Sequence, residues 1–256
     1  MNKNRPPPRL SLRQRLTWFA HLYKALARQY HAELGDELRA IIADDAVVVD
    51  VGAHAGQHAK LFAAMVPKGH VYAFEPGLYA LSILEIVRRW RRLDNVTTVP
   101  LGLSDKPSVE TLHVPLKRSG SMGFGLSHMG PDHSGRKVVS EQIKLTTLDV
   151  FAAEQSLTRL DFIKVDIEGW ELNFLKGAMG TIAKFLPTLL LEVTHGSLAR
   201  AGATPQQIFD LLLPLGYQAF ETRKSRNYVM RRVDGFESEA DYLFVPREKV
   251  HLIAAS

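Results

Sequence analysis

Two groups of residues in this 256-residue chain have types and spacing suited to chemistry. The first is the loop Asp50-Val51-Gly52-Ala53-His54-Ala55-Gly56-Gln57, which follows directly on the apolar run from Val47 to Val51. Glycines between a strand and a helix let the backbone turn sharply and come close to a ligand. The spacing is not the G-x-G-x-x-G of dinucleotide sites. The acid before Gly52 would also repel a pyrophosphate at the N-terminus of the following helix. A cationic ligand without phosphate suits such a loop better, and the methionine part of S-adenosylmethionine is of that kind. Glu75 ends the second apolar run, 19 positions after Gly56. An acid there accepts hydrogen bonds from both hydroxyls of a ribose. Its plainer role is a surface carboxylate before the Pro76-Gly77 turn.

The second group is Lys164, Asp166, Glu168 and Glu171, with Glu192 and His195 at the end of the next apolar run. Lys164 and Asp166 lie two apart on a strand and so share one side. A carboxylate that finishes a buried strand needs a partner, which favours a functional role for Asp166. Glu168 and Glu171 open the next helix, where negative charge is worth about 0.3–1 kcal/mol each. For Glu171 that role and a functional one both stand. His195 is a candidate general base, because an unperturbed imidazole titrates near pH 6.5, or else a loop histidine. Asp166, Glu168 and His195 are thus the catalytic candidates. A metal site of Asp166, Glu192 and His195 is set aside, since no tight ligand spacing supports it.

A Gly-rich stretch holds Lys117, Arg118, Ser121, Met122 and Gly123. It reads as a flap over an acceptor or as a solvated loop. Lys117, Ser121 and Glu192 are the acceptor-contact candidates. The basic run Arg223, Lys224, Arg226, Arg231 and Arg232, near Tyr228, reads first as a solvated hairpin.

These residues have to be positioned by alternating strands and helices, the pattern of a parallel sheet. Strands are expected near 47–51, 71–74, 96–101, 161–166, 188–193, 217–222 and 242–245, and hairpin partners at 109–115 and 138–145. Helices are expected at 58–66, 78–93, 170–186 and from Pro205. The Arg cluster late in the second of these suits a helix C-terminus. Ahead of them, residues 1–43 form a basic arm and helices, with the main domain over 44–256. In residues 12–30 one stripe holds Leu16, Phe19, Tyr23, Leu26 and Tyr30, and the opposite one Arg13, Thr17, His21, Lys24 and Arg28. Such a helix can lie on anionic lipid. The preferred reading packs it on the domain with the charged face in water.

Composition bounds the function. There is no cysteine, so disulfides, thiolate catalysis and cysteine-based zinc sites are excluded. A net charge of +5 is too mild to indicate nucleic-acid binding. No apolar run reaches the roughly 18 residues of a membrane span. Lys24 and Arg28 interrupt the only candidate signal sequence, and the expectation is a cytoplasmic protein.

Together the motifs carry a family resemblance. Asp161-Phe162-Ile163-Lys164-Val165-Asp166-Ile167-Glu168-Gly169-Trp170-Glu171 resembles the hallmark segment of the FkbM methyltransferases. Asp50-Val51-Gly52-Ala53 with Gly56-Gln57, Phe74-Glu75-Pro76, Thr147-Leu148-Asp149, Leu191-Glu192 and Leu243-Phe244-Val245-Pro246 are similar to its other motifs. The resemblance spans about residues 47–246. It implies a Rossmann-like class I methyltransferase fold, with a seven-stranded, mostly parallel sheet and helices on both faces, and S-adenosylmethionine as donor. It implies O-methylation of a sugar, glycan precursor or small metabolite. Carried onto this chain, Asp50, Gly52, His54 and Gly56 would hold the methionine end. Glu75 would serve the ribose and Leu103 and Ser104 would border the adenine, with Pro76 and Asp166 as further cofactor-binding candidates. The family commonly has Asn where this chain has His54, and an imidazole can donate in place of the amide. The rival readings are a nucleic-acid methyltransferase and a binding module without turnover. Against the first, the fourth strand ends in Asp-Ile-Glu-Gly rather than the Asn/Asp-Pro-Pro-Tyr/Phe of many amino-group methylases.

Overall fold

A computed structural model describes residues 11–29, 32–117, 123, 127–129, 135, 137–223 and 229–253. In chain order the elements are α1 (Leu12–Ala27), α2 (Ala32–Leu38), β1 (Val47–Val51), α3 (Gln57–Met65), β2 (His70–Phe74), α4 (Leu78–Trp90), β3 (Val96–Val99), β4 (Gly102–Leu103), β5 (Ser108–Pro115), β6 (His128–Met129), β7 (Val138–Thr146), α5 (Leu148–Glu154), β8 (Phe162–Val165), α6 (Glu171–Lys176), α7 (Met179–Phe185), β9 (Thr188–Val193), α8 (His195–Arg200), α9 (Pro205–Leu212), β10 (Tyr217–Arg223), β11 (Val229–Val233) and β12 (Ala240–Pro246).

The main sheet runs β11-β10-β12-β9-β8-β1-β2-β3. Its β9, β8, β1, β2 and β3 pair in parallel. The three strands beyond β9 pair antiparallel. This is the expected mostly parallel sheet of a Rossmann-like fold, with β11 added at its edge. β10 and β11 pair antiparallel, and Arg231 of the basic run donates to the carboxylates of Glu221 and Glu237, while Lys224 and Arg226 lie outside the described residues. Side chains alternate along β1 between two cores. Val49 and Val51 join one, and Ala46 and Val48 the other. Residues of one parity share one face of a strand, so Asp50 falls on the Val48 side. On β8, Phe162 and therefore Lys164 face the same way, and Asp50 stands opposite Lys164 in register.

The strands at 109–115 and 138–145 pair as expected. They belong to a second sheet, β4-β7-β5-β6, which sits over the carboxyl ends of β1 and β2 and supplies one wall of the cavity described below.

Two expectations change. The helix predicted over 170–186 is two helices, α6 and α7, broken at Gly177. A Cβ there would lie 2.0 Å from the Ser104 carbonyl oxygen, so the chain passes too close for any side chain. Asp149 re-caps the second piece, accepting from the amides of Gly180 and Thr181. The Thr147-Leu148-Asp149 motif is thus a joint between helices, with Thr147 capping α5.

The second change concerns α1. It packs on α4 through Trp18, Leu22, Ala25 and Leu26. The Trp18 indole donates to Ser82, and His21 bonds the Tyr79 hydroxyl at 3.0 Å. Leu16, Phe19 and Tyr23, expected to face the domain, are exposed instead. Lys60 anchors the far end of α1. Its ammonium, buried under the helix C-terminus, donates to the carbonyls of Ala25 and Arg28. Burial lowers its pKa to about 8. Arg91 donates to the Leu26 carbonyl.

Candidate functional site

A cavity of about 270 Å³ opens at the carboxyl ends of β1, β2 and β8, beneath the second sheet. Open parallel sheets bind ligands at such strand ends. Gly52, Ala53 and His54 form its floor. Gly52 has φ 80°, and a Cβ on it would lie 2.0 Å from the Asp166 carbonyl oxygen. The loop can therefore pass β8 only with glycine here. Gly56 (φ 85°) is the N-cap residue of α3 and does not line the cavity. His54 has φ 51°. Asn and His are among the side chains that best tolerate this left-handed conformation, which gives the family's Asn and this chain's His a common backbone reason.

Glu75 lines the cavity, and each carboxylate oxygen accepts one backbone bond, from His54 at 2.9 Å and Gly77 at 2.8 Å. A carboxylate has about four acceptor sites, so two remain. Burial raises its pKa to about 7, against the two amide bonds. Pro76 and Leu103 line the same space. Ser104, expected beside them, does not. It is buried, its hydroxyl placed between the Trp170 indole and Asp105.

Asp50 lies beneath the floor and not on its surface. Neither carboxylate oxygen has a hydrogen-bond partner. Burial raises its pKa to about 6, opposed by Lys164, whose Nζ is 3.9 Å from Oδ1. Lys164 also bonds Asp166 at 3.1 Å. Burial disfavours the Lys164 charge, but Asp166 and Asp50 outweigh it and hold the ammonium protonated. Burial likewise works against ionisation of Asp166. Lys164, with hydrogen bonds from Glu192 and Lys164, overcomes it and brings the pKa well below the carboxylate range.

A second recess of about 150 Å³ adjoins the cavity, lined by Leu34, His58, Lys164, Asp166, Glu192 and Asp241. His58, Lys164 and Asp166 belong to both spaces. Glu192 has its carboxyl pushed up to about 8 by desolvation, the Asp166 charge and their shared hydrogen bond. The Asp166–Glu192 pair therefore holds one proton between them near neutrality.

The turn after β8 is held from below by Glu171. Its Oε1 accepts from the amides of Ile167 (3.2 Å) and Gly169 (3.1 Å), and burial raises its pKa to about 7. Glu168 lines the cavity with φ 55°, faces Arg200 at 3.6 Å, and has its pKa raised by burial and by Asp166.

His195 is not brought to either space. β9 ends at Val193, and the exposed His195 begins α8 with its amide bonded to Glu239. Lys117 is exposed just past β5 and lines neither space; Ser121 lies outside the described residues. The cavity contains residues that sequence reasoning passed over: His58, His128, Tyr79 and Glu141. Glu141 caps α4 from β7, accepting from the Leu78 amide at 3.1 Å.

The donor set is selective. Glu75, Glu141, Asp166 and Glu168 line the cavity, with Asp50 buried beneath it, 3.9 Å from the Lys164 ammonium. This field fits a ligand bearing cations and hydroxyls and opposes a pyrophosphate.

Comparison with known proteins agrees. The Methyltransferase FkbM domain profile matches residues 50–219, well over half of the chain. Among curated proteins the chain is similar to the AMB antimetabolite synthetase AmbE of Pseudomonas aeruginosa. The two are 25% identical over 208 residues, 70% of this chain but only 10% of that protein. Among solved structures it is similar in fold to methyltransferase FkbM from Methylobacillus flagellatus KT (17% identity, TM-score 0.50), covering 90% of this chain and 59% of that one. It is also similar to cofactor-bound Rv0187 from MTB (12% identity, TM-score 0.51), covering 91% and 89%. The chain belongs to the FkbM methyltransferase family, whose cofactor is S-adenosylmethionine.

Proposed function

We propose that the protein transfers the methyl group to an acceptor hydroxyl of a sugar, glycan precursor or other small metabolite. The observation that carries this reading is the joint at Lys164 and Asp166, where a cavity suited to a cationic, hydroxylated ligand meets an acidic recess. S-adenosylmethionine, when bound, supplies an electrophilic methyl on a cationic sulfonium.

In this reading Glu75 uses its two remaining acceptor sites for the ribose hydroxyls, beside Pro76. Leu103 borders the base. The Gly52–His54 backbone faces the methionine part, and Asp50 adds negative potential from beneath. Residues 44–256 form the unit that does this, with residues 1–43 as its extension.

Asp166 and Glu192 take the acceptor's proton. Their shared proton is held up to about pH 8, and above that the pair presents two charges. A base whose pKa lies near the working pH is the effective one. Lys164 keeps Asp166 ionised, and Glu168 flanks the same turn. Of the proposed acceptor contacts Glu192 lines the recess, Lys117 would reach it only from the segment that follows β5, and Ser121 lies outside the described residues. His195 lines neither space, and this pair takes its place as the base.

The test is calorimetric titration with S-adenosylhomocysteine, then a screen of hydroxylated acceptors with labelled donor. Micromolar binding that is lost in Glu75→Ala, with methyl ethers as products, supports the reading. Binding with transfer only to amines or nucleic acid would overturn the hydroxyl assignment.

A further inference from the structure

Helix α1 has two apolar faces, and only one of them is used. Trp18, Leu22, Ala25 and Leu26 pack on α4. On the other side Leu12 (76% exposed), Leu16 (63%), Phe19 (61%) and Tyr23 (71%) stand in solvent. Their spacing of four, three and four residues lines them up on one stripe of the helix. At 100° per residue, Arg15 falls along one margin of the stripe, and Arg13 and Lys24 along the other. All three are exposed. No acidic residue precedes Glu33.

We infer that this outward face of α1 docks on an anionic membrane surface, with the stripe in the headgroup region and the three cations at its borders. Charge chooses the occupant. A second copy of the chain would bring one set of Arg13, Arg15 and Lys24 against another. The first ten residues carry Lys3, Arg5 and Arg9 and no acid, so they are repelled in the same way. An anionic bilayer answers both the apolar stripe and its basic margins, and basic residues with aromatics are the makeup of helices that lie in the interface. No helix among the described residues is long and apolar enough to cross a membrane, so contact lies along the surface. Trp90, also exposed (75%), stands between Arg89 and Arg91 on α4, and Arg91 is bonded to the end of α1.

The experiment is flotation of the full chain with vesicles of phosphatidylcholine containing 30% phosphatidylserine, against pure phosphatidylcholine. Binding to the anionic vesicles is expected, weakening as salt rises. The double variant Leu16→Ser/Phe19→Ser touches only exposed side chains, so its thermal midpoint and S-adenosylhomocysteine affinity stay at wild-type values while partitioning falls at least tenfold. Reversing Arg13 and Lys24 to Glu lowers partitioning by more than the roughly fivefold per charge expected for simple neutralisation. Equal binding to both vesicle types, or no effect of either variant, overturns the inference. So does a dimer in solution that the double variant dissociates, since the stripe would then be a self-interface. S-adenosylhomocysteine affinity tests the methyltransferase reading separately.

Discussion

Glu75 is a buried carboxyl that meets two backbone amides and no cation. Replacing it with Gln separates its charge from its shape. In the unfolded chain a glutamate titrates at 4.5, and here it titrates at about 7. A group whose folded pKa is raised binds its proton more tightly in the native state. Its stabilisation is therefore full below pH 4.5 and is lost as pH climbs through 7. From those two values, the protonated form favours the native state by about 3 kcal/mol at pH 5 and by almost nothing at pH 8. Wild-type protein should thus lose about 2–3 kcal/mol through Glu75 over that interval, and Glu75→Gln should not. The variant pays a separate cost. Its amide nitrogen cannot accept from one of the two amides, which costs about 1–3 kcal/mol at every pH.

Urea unfolding at pH 5 and pH 8 measures both quantities. The pH-independent offset reports the lost hydrogen bond, and the difference in slope reports the charge. Asp50, Glu171 and Glu192 also titrate high but do so in both proteins, so they cancel. Ligand binding should run the other way. The ionised fraction of Glu75 rises from about one-tenth at pH 6 to nine-tenths at pH 8. S-adenosylhomocysteine should therefore bind wild type up to about tenfold more tightly at pH 8, and the variant without that gain. Equal stability slopes in the two proteins would refute the claim that Glu75 is a buried, unpaired acid. A flat binding profile in the wild type would refute its role toward the ribose.

Four further outcomes follow from the geometry. Gly52→Ala forces a Cβ against the Asp166 carbonyl at positive φ, costing roughly 2–5 kcal/mol; scanning calorimetry should show the midpoint fall by several degrees. Glu171→Ala leaves the amides of both Ile167 and Gly169 without their acceptor, so turnover should drop more than tenfold while S-adenosylhomocysteine affinity changes little. Glu192→Gln should abolish the rise in turnover through about pH 8 that the wild type shows, as seen in a pH–rate profile under saturating donor. Lys60→Met removes the cation that holds the last carbonyls of α1, and limited proteolysis should then cut between α1 and α2 earlier while the core fragment persists.

The order of strands and the cavity floor were legible because they rest on local signals. Val47 to Val51 is short, β-branched and interrupted only by Asp50, and its glycine boundary marks it as a strand buried on both faces. What escaped was set by contacts distant in sequence. Glu141 sits in Ser140-Glu141-Gln142, which reads as a solvated strand, and only the folding of β7 over β2 brings it to the cavity. His58 looked like an ordinary residue in the first turn of α3. In α1, Trp18, Leu22 and Ala25 recur at helical spacing as well as Leu12, Leu16, Phe19 and Tyr23 do. Periodicity finds both stripes, and only α4 decides which one is inside.

The same limit applies to the charges. Asp50 and Lys164 are evident in the sequence as interruptions of two apolar strands, but their meeting depends on the register of β1 against β8. Once that register is fixed, Lys164 has to serve two carboxylates at once, Asp166 at 3.1 Å and Asp50 at 3.9 Å. The nearer one is kept ionised and the farther one is left with a raised pKa. Glu192, sharing a proton with the ionised Asp166, then titrates near 8. One buried lysine thereby divides three carboxylates into a charged floor, a fixed anion and a usable base. Removing it with Lys164→Met should neutralise Asp50 and raise Asp166 together, so that a single substitution costs both cofactor affinity and turnover where Glu192→Gln costs turnover alone.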